Sequence, residues 1–377
     1  MTMTALGETA RFVNGAAFKP SDWGSDGLPI IRIQNLTGTG ESFNFTARET
    51  KAELVVEPGD LLVSWSATLD VYRWNGPRGL LNQHIFKVLP RAGIDPDYLF
   101  YALKNALAEL SAKTHGSTMK HVVRGDFEST QVRIPALPEQ RRIVDVLSRA
   151  ESIVRLRREA QKKAAELIPA LFLDTFGDPA TNPKGWPTRP LSELVKFMGG
   201  GTPSKSRADF WVGELPWVSP KDMKRLEIFD AADHLSSKVL TDTNLKLIPP
   251  NSVLVVVRGM ILAHSLPLAI TRAPVTVNQD MKALTPIDQV VPDYLFWALM
   301  TSKPTLQAKI DAAAHGTKKL DTEHLLNLSV AVPPRAAQLA WTETAKAVTS
   351  IQTQQSTATT QAEATFNALL AQVFAPV

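Results

Sequence analysis

The chain has 377 residues, 44% of them hydrophobic and 21% charged, with no cysteine. That composition is globular rather than disordered, and the absence of thiols excludes a disulfide framework, a thiolate zinc site, an iron–sulfur cluster and a cysteine nucleophile. The formal net charge of +4 is spread thinly, with 14 basic against 14 acidic side chains over residues 1–135 and no basic tail, so polyelectrolyte attraction alone does not make a nucleic-acid binder.

The length suggests two or three domains. The longest aliphatic run, residues 253–257, falls far short of the ~20 apolar residues that a membrane helix needs. The opening Met1-Thr2-Met3-Thr4-Ala5-Leu6-Gly7-Glu8 has neither the basic region nor the apolar core of a secretory leader. A soluble cytoplasmic protein is the expectation.

In chain order, Leu28-Pro29-Ile30-Ile31 and Leu61-Leu62-Val63, the latter behind Pro58-Gly59-Asp60, read as buried strands bounded by turns. Asn82-Gln83-His84 is a polar interruption. Pro96-Asp97-Tyr98-Leu99-Phe100-Tyr101-Ala102-Leu103 places Pro and Asp in a first turn, followed by apolar residues at helical spacing. A loop at His115-Gly116-Ser117-Thr118 precedes the strand-like Val132-Arg133-Ile134. From Pro138, Ile143, Leu147, Ala150 and Val154 recur at four and three, which predicts a long amphipathic helix. It yields near Pro169 to a stop at Phe176-Gly177-Asp178-Pro179.

The chain then repeats itself at an offset just under two hundred residues. Leu215-Pro216-Trp217-Val218 answers the first strand, and Ile248-Pro249-Pro250-Asn251-Ser252-Val253-Leu254-Val255 answers the second. Asn278-Gln279-Asp280 follows, then Pro292-Asp293-Tyr294-Leu295-Phe296-Trp297-Ala298-Leu299 and His315-Gly316-Thr317. The order is kept throughout, and the period is far too long for a solenoid, so this is a duplicated domain. The tail places Trp341, Ala345, Val348, Gln352, Gln355, Ala358, Ala362, Leu369 and Val373 mostly three and four apart, a second long amphipathic helix. Neither helix buries its stripe alone, and packed antiparallel the two can. The predicted fold class is α+β: two duplicated, strand-rich mixed α/β domains separated by two long antiparallel coiled-coil-like helices, related by a pseudo-two-fold. The expected boundaries are 1–135 and 180–333 for the domains, and 136–179 and 334–377 for the helices.

Catalytic motifs are approached and missed. Gly199-Gly200-Gly201-Thr202-Pro203-Ser204-Lys205-Ser206 lacks the second glycine of a phosphate-binding P-loop, and Pro203 removes a backbone donor. A turn entering a domain is the better reading, with Lys205 beside DNA phosphate. Asp95-Pro96-Asp97-Tyr98 departs from the amino-methyltransferase signature at its third position and reads as a helix start. The histidines, His115 and His315 among them, show no metal-ligand spacing, so neither a metal site nor a catalytic set is expected.

The loops do offer chemistry to a nucleic acid. His115, Ser117, Thr118, Lys120, His121 and Arg124 in the first copy, and His315, Thr317, Lys318 and Lys319 in the second, can bond to phosphates or base edges. Asn82, Gln83, Asn278 and Gln279 carry amides able to pair with adenine, or equally to satisfy the backbone of a β-turn. Lys221, Lys224 and Arg225 form either a phosphate patch or a solvated charged face. A helix of roughly 30 residues is ~45 Å long, and B-DNA repeats every ~34 Å. Two domains so spaced suit one face of a duplex. Read from these residues alone, a duplicated α/β enzyme for a small ligand and a sequence-indifferent scaffold stay open.

These stretches resemble the specificity (S, HsdS) subunit of type I restriction–modification systems. Pro135-Ala136-Leu137-Pro138-Glu139-Gln140-Arg141-Arg142-Ile143-Val144 is similar to that family's entry into its central conserved helix. Phe176-Gly177-Asp178-Pro179 through Asn182-Pro183-Lys184-Gly185-Trp186 resembles its junction into the second recognition domain. Gly200-Gly201-Thr202-Pro203-Ser204, Phe210-Trp211 and Leu215-Pro216-Trp217-Val218 resemble the start of that domain, and residues 115–121 its late DNA-facing loop. The resemblance implies a non-catalytic subunit whose two target recognition domains each read half of a split site in double-stranded DNA. Its helices would set the gap and dock two modification (methyltransferase) subunits, with Glu139, Gln140, Arg141, Arg142 and Arg149 as candidate contacts, and a restriction subunit would join them. S-adenosylmethionine, ATP and Mg²⁺ would belong to those partners, with no cofactor in this chain. A methylation-only or other restriction assembly is the neighbouring alternative. The second helix opens with Pro334-Arg335-Ala336-Ala337-Gln338-Leu339 and continues in Thr and Gln rather than paired charges.

Overall fold

The computed structural model describes residues 2–375 except 41, 67, 114–123 and 313–316. The chain forms two compact units, one of residues 1–160 with 356–377 and one of residues 161–355.

In the first unit, β1 (Thr2–Ala5) pairs antiparallel with β10 (Gln131–Ile134). A four-stranded antiparallel sheet runs β2 (Ala10–Asn14), β9 (Ile85–Pro90), β6 (Leu61–Ser64), β7 (Asp70–Arg73). A second sheet runs β4 (Asn44–Thr46), β3 (Leu28–Ile31), β8 (Gly79–Leu81), β5 (Val55–Val56), with β3 and β8 parallel. Leu61, Leu62 and Val63 are buried on both faces, which is why this strand reads as an unbroken apolar run rather than an alternation. The helix Pro96–Lys113 packs Tyr98, Leu99, Ala102 and Leu103 into the core.

The second unit repeats that order. β11 (Thr188–Pro190) pairs with β22 (Ser329–Ala331). One sheet runs β12 (Val195–Gly199), β19 (Met281–Pro286), β16 (Val253–Val256), β17 (Leu268–Thr271), β14 (Glu227–Ile228). The other runs β15 (Asp233–Leu235), β13 (Leu215–Val218), β18 (Thr276–Val277), with β13 and β18 parallel as β3 and β8 are. A hairpin of β20 (Ile310–Ala312) and β21 (Lys318–Leu320) is added. The helix Pro292–Thr301 stops where its twin continues. Pro304 lies three residues on and has no N–H to extend the ladder, whereas the first copy has Ala108 there.

The predicted long helices are present as Leu137–Ala165 and Arg335–Phe374. The first breaks at Glu166, earlier than Pro169 suggested, and restarts as Leu167–Phe176. Pro169 sits in the first turn of the new helix, where no amide donor is needed, and it could not have bonded to the Ala165 carbonyl of a continuous one. At the break Gln352 donates to the Ala164 carbonyl.

Both helices are divided between the units rather than standing apart as the 136–179 and 334–377 segments. In the first unit Ile143, Leu147 and Val154 share a core with Phe366, Leu370 and Phe374, and Arg158 bonds to Glu363 at 2.6 Å. Arg133 donates to the Val373 carbonyl at 3.3 Å, so the two helices run antiparallel there. The tail's buried face is therefore Phe366, Leu370 and Phe374, a step round the helix from the predicted Leu369 and Val373, which are only partly covered. In the second unit the equivalent seal is Phe172 and Phe176 against Trp341, with ring centroids at 5.2 and 6.0 Å.

One buried side chain sets where each long helix begins. Gln140, 1% exposed, accepts from Asp95 N at 2.8 Å and donates to the carbonyls of Pro135 at 2.8 Å and Gly93 at 3.0 Å. Gln338, 0% exposed, repeats this with Val291 N at 2.8 Å, Pro333 O at 2.8 Å and Gln289 O at 3.4 Å. Gln140 thus leaves the partner-contact set, because its carboxamide is spent inside the protein. Gln140→Ala strands one buried donor and two carbonyls and is expected to cost about 2–3 kcal/mol, read as a lowered urea midpoint. Arg142→Ala, on the exposed face, should change stability by less than about 0.5 kcal/mol and leave that midpoint nearly unmoved.

Candidate nucleic-acid interface

In the second unit β18 leads into the turn Asn278-Gln279-Asp280 before β19. Asn278 is 7% exposed; its N–H donates to Val218 O at 3.0 Å and its Oδ1 accepts from Asp280 N at 3.1 Å. It is a turn-forming residue, so the adenine-reading role considered for it is withdrawn. Gln279 is exposed beside it, with Thr202 Oγ1 donating to Gln279 Oε1. Thr202 comes from the loop that resembled a P-loop. That loop lies against backbone: a Cβ on Gly200 would stand 2.1 Å from Asn278 O and 2.2 Å from Val277 O. Trp217 Nε1 donates to Gly201 O at 2.9 Å and Trp211 Nε1 to Ser204 O at 3.2 Å. The glycine is there for close approach.

The same turn gathers cations. Asp280 O accepts from Val257 N at 2.8 Å and Arg258 N at 3.3 Å, and Gly259 N donates to Lys318 O at 3.0 Å, which brings β21 alongside. Arg258 is exposed, Thr317 and Lys318 are half-buried, and Lys319 pairs with Asp321. Arg258 was missed from the sequence, although a cation directly after the apolar run 253–257 marks a strand end. Lys205 is exposed in its turn. Lys221, which follows the Val218 that anchors Asn278, bonds to Asp233 at 2.7 Å, and Lys224 is exposed.

The first unit repeats the turn with different polar groups. Asn82 N donates to Ile31 O at 3.2 Å, and Asn82 O accepts from Ile85 N at 3.1 Å. A Cβ on Gly15 would stand 2.0 Å from that oxygen. Asn82 is half-buried and Gln83 exposed, with Gln83 Nε2 3.2 Å from His84 Nε2. Arg124 is a correction: it pairs with Glu128 at 2.8 Å, donates to Phe12 O at 3.3 Å and covers the Phe86 ring, so its charge is engaged within the domain. His115, Ser117, Thr118, Lys120, His121 and His315 lie outside the described residues.

On the first long helix Arg142 forks onto Glu139 with two 2.8 Å bonds, holding that carboxyl below its usual range, and Arg149 bonds to Asp145 at 2.9 Å. Arg141 is exposed. Interleaved with them are exposed apolar side chains, Val146 at 39%, Ile153 at 51% and Leu156 at 55%. Among the described residues, no cluster of His, Asp and Glu could hold a metal ion, and no helix is long and apolar enough to cross a membrane.

Two α+β units that share their central strand order, each ending a sheet in a glycine-backed amide turn, define a duplicated domain protein. The family comparison gives the class a name. The model of the type I restriction modification DNA specificity domain matches residues 1–166 and 183–363, and the chain belongs to that family. It is 35% identical over 149 residues to the EcoR124I/EcoR124II specificity subunit of Escherichia coli, covering 39% of this chain and 36% of that one. Against the EcoBI specificity subunit of Escherichia coli it is 26% identical over 171 residues, covering 45% and 35%. The matched stretches thus span about a third of the length of these curated relatives. Two solved structures share the fold. A chain from work on complex assembly and conformational transition of the type I R-M system has TM-score 0.66 at 19% identity, covering 98% of this chain and 96% of that one. The S subunit from M. genitalium has TM-score 0.51 at 13% identity, covering 100% and 96%.

Gly200→Ala forces the Asn278–Gln279 turn to move, since only backbone atoms face the new methyl. It is expected to destabilise by about 1–3 kcal/mol. Gly125→Ala, in the helix Arg124–Ser129 with open space around it, should instead gain up to about 1 kcal/mol. Thermal melting of both variants reads the opposite signs.

Proposed function

We propose that this chain is the DNA sequence-specificity subunit of a type I restriction–modification complex, each unit reading one half of a bipartite duplex site. The observation that carries this is the pair of exposed glutamines, Gln83 and Gln279, at equivalent corners of two units that share their central strand order. In each, the neighbouring asparagine holds the turn, and the glutamine is left to face outward. A glutamine amide can accept from adenine N6 and donate to N7 in the major groove. At Gln279 the Thr202 hydroxyl occupies one lone pair of Oε1 and orients the amide, leaving the second lone pair and both N–H groups. Arg258 and Lys318 stand where they can meet backbone phosphates, which position the reader without carrying sequence.

The helices serve in this reading as the ruler for the unread gap. Their outer face docks two modification subunits, with a restriction subunit joining the assembly. Val146, Ile153 and Leu156 support this, because large aliphatic side chains exposed beside Arg141, Arg142 and Arg149 suit a partner protein better than water. The chain itself is non-catalytic. S-adenosylmethionine, ATP and Mg²⁺ belong to the partners, and the setting is cytoplasmic.

Methylation profiling of DNA modified by the chain together with a modification subunit is expected to show a split recognition sequence. Methyl transfer by the chain alone overturns the proposal. Within that assay Gln279→Ala should relax discrimination at one base pair of one half-site by about 1–3 kcal/mol and leave the other half unchanged. Lys318→Ala should weaken binding to all sequences alike and reduce the salt slope by about one. A Gln279→Ala protein with unaltered sequence preference removes that residue from base reading.

A further inference from the structure

The second unit contains a concavity of 490 Å³ with Lys221, Lys224, Arg225 and Lys303 in its wall and no carboxylate among its lining residues. Ser265 adds a hydroxyl, and Met223 and Ile261 supply part of its apolar floor. Among the described residues, Lys221 is the one cation of the four with an ion pair, to Asp233. Lys303 is half-buried, and burial pushes its ammonium below the ordinary lysine range with no acid among the described residues offsetting it. A half-buried, uncompensated cation costs free energy that ordinary packing would avoid.

The duplication supplies an internal control. The turn after β13 and the turn after β3 are built alike: Ser219 N donates to Asp222 Oδ2 at 2.8 Å and Arg32 N to Asn35 Oδ1 at 3.0 Å. Counting from these, Lys221, Lys224 and Arg225 correspond to Gln34, Thr37 and Gly38. Aligning the two Pro-Asp-Tyr-Leu-Phe helices places Lys303 opposite Leu107, which is 2% exposed. The same fold is thus made in the first unit with no cation at any of the four places. Folding does not require this charge, and a ligand that neutralises it would.

We propose that this pocket binds a phosphate group, held by Lys224, Arg225 and Lys303 with Ser265 donating. This deepens the DNA reading above and rests on it where the phosphate is a duplex diester. Ile261 lines the pocket and belongs to the turn Met260–Ala263, which directly follows Arg258 and the Gly259 bonded to Lys318. The pocket therefore continues the cationic edge beside Gln279. The same chemistry also suits a free phosphate or a nucleotide, and the test separates these sources.

The experiment uses the full chain, with Lys303→Met and Arg225→Gln as charge removals, Lys303→Arg as the conservative rescue and Lys184→Gln as a remote control. Arg225 is exposed, so its variant keeps the test valid if Lys303→Met folds poorly. Binding to a mixed-sequence 30-bp duplex across salt concentrations is expected to show a slope shallower by about 0.9 for each charge removal. Wild type, Lys303→Arg and Lys184→Gln should keep the full slope. That result assigns a duplex phosphate. Unchanged slopes, with stabilisation by pyrophosphate in thermal melts present in wild type and absent in the charge removals, support the pocket and assign a free phosphate ligand. Should wild type fail to bind any duplex, the DNA reading falls, and the pyrophosphate melts decide the pocket by themselves. Variants that match wild type in both salt slope and pyrophosphate response overturn the pocket.

Discussion

A single buried carboxamide organises each half of this protein. Gln140 and Gln338 each tie the loop before the Pro-Asp-Tyr helix, the end of the last strand and the first turn of a long helix into one knot. A carboxamide suits the task because it accepts and donates in fixed, opposite directions, and burial makes an unmade bond costly. The tyrosine of the same helix adds a second tie, Tyr98 to Arg133 O at 2.5 Å and Tyr294 to Ala331 O at 2.8 Å. With its first turn anchored in this way, each long helix presents one stripe to the core and another outward.

The sealing of those cores shows how the duplication is arranged. Tyr294 is covered by Phe172 and Phe176, from the helix that follows the first repeat. Tyr98 is covered by Phe374, from the helix that follows the second. Each domain core is therefore completed by the far end of the other repeat's helix. This is why residues 356–377 belong with the first unit.

At the candidate interface the division of labour is between two adjacent amides. In the second unit the shorter Asn278 side chain reaches its own backbone two residues on and closes the turn, and in the first the Asn82 backbone does so. The glutamine beside it, one methylene longer, stays outward. Glycine at 15 and 200 lets a neighbouring loop approach the turn to backbone contact. Around this shared corner the two units diverge: Arg258, Lys318 and the cationic pocket on one, His84 and Trp65 on the other. Shared packing with divergent polar groups is what the proposed reading of two half-sites requires.

The amino-acid order determined the duplication, the strands at 28–31 and 61–63, both Pro-Asp-Tyr helices and the long amphipathic helices, because each is a local pattern of apolar spacing and turn chemistry. It also exposed the amide turns as polar interruptions at equivalent places. Which amide is buried in the turn and which faces outward was decided only by tertiary structure, since Asn278 and Gln279 differ in burial rather than in chemistry. The same holds for Gln140, which reads as a solvent-facing helix residue until the loop that it ties is folded over it. Lys303 is far along the chain from the adjacent Lys224 and Arg225, and the three become one pocket only when the helix end meets the turn after β13. Local periodicity records which face of an element is apolar, whereas the partner of a polar side chain is set by what the fold brings against it.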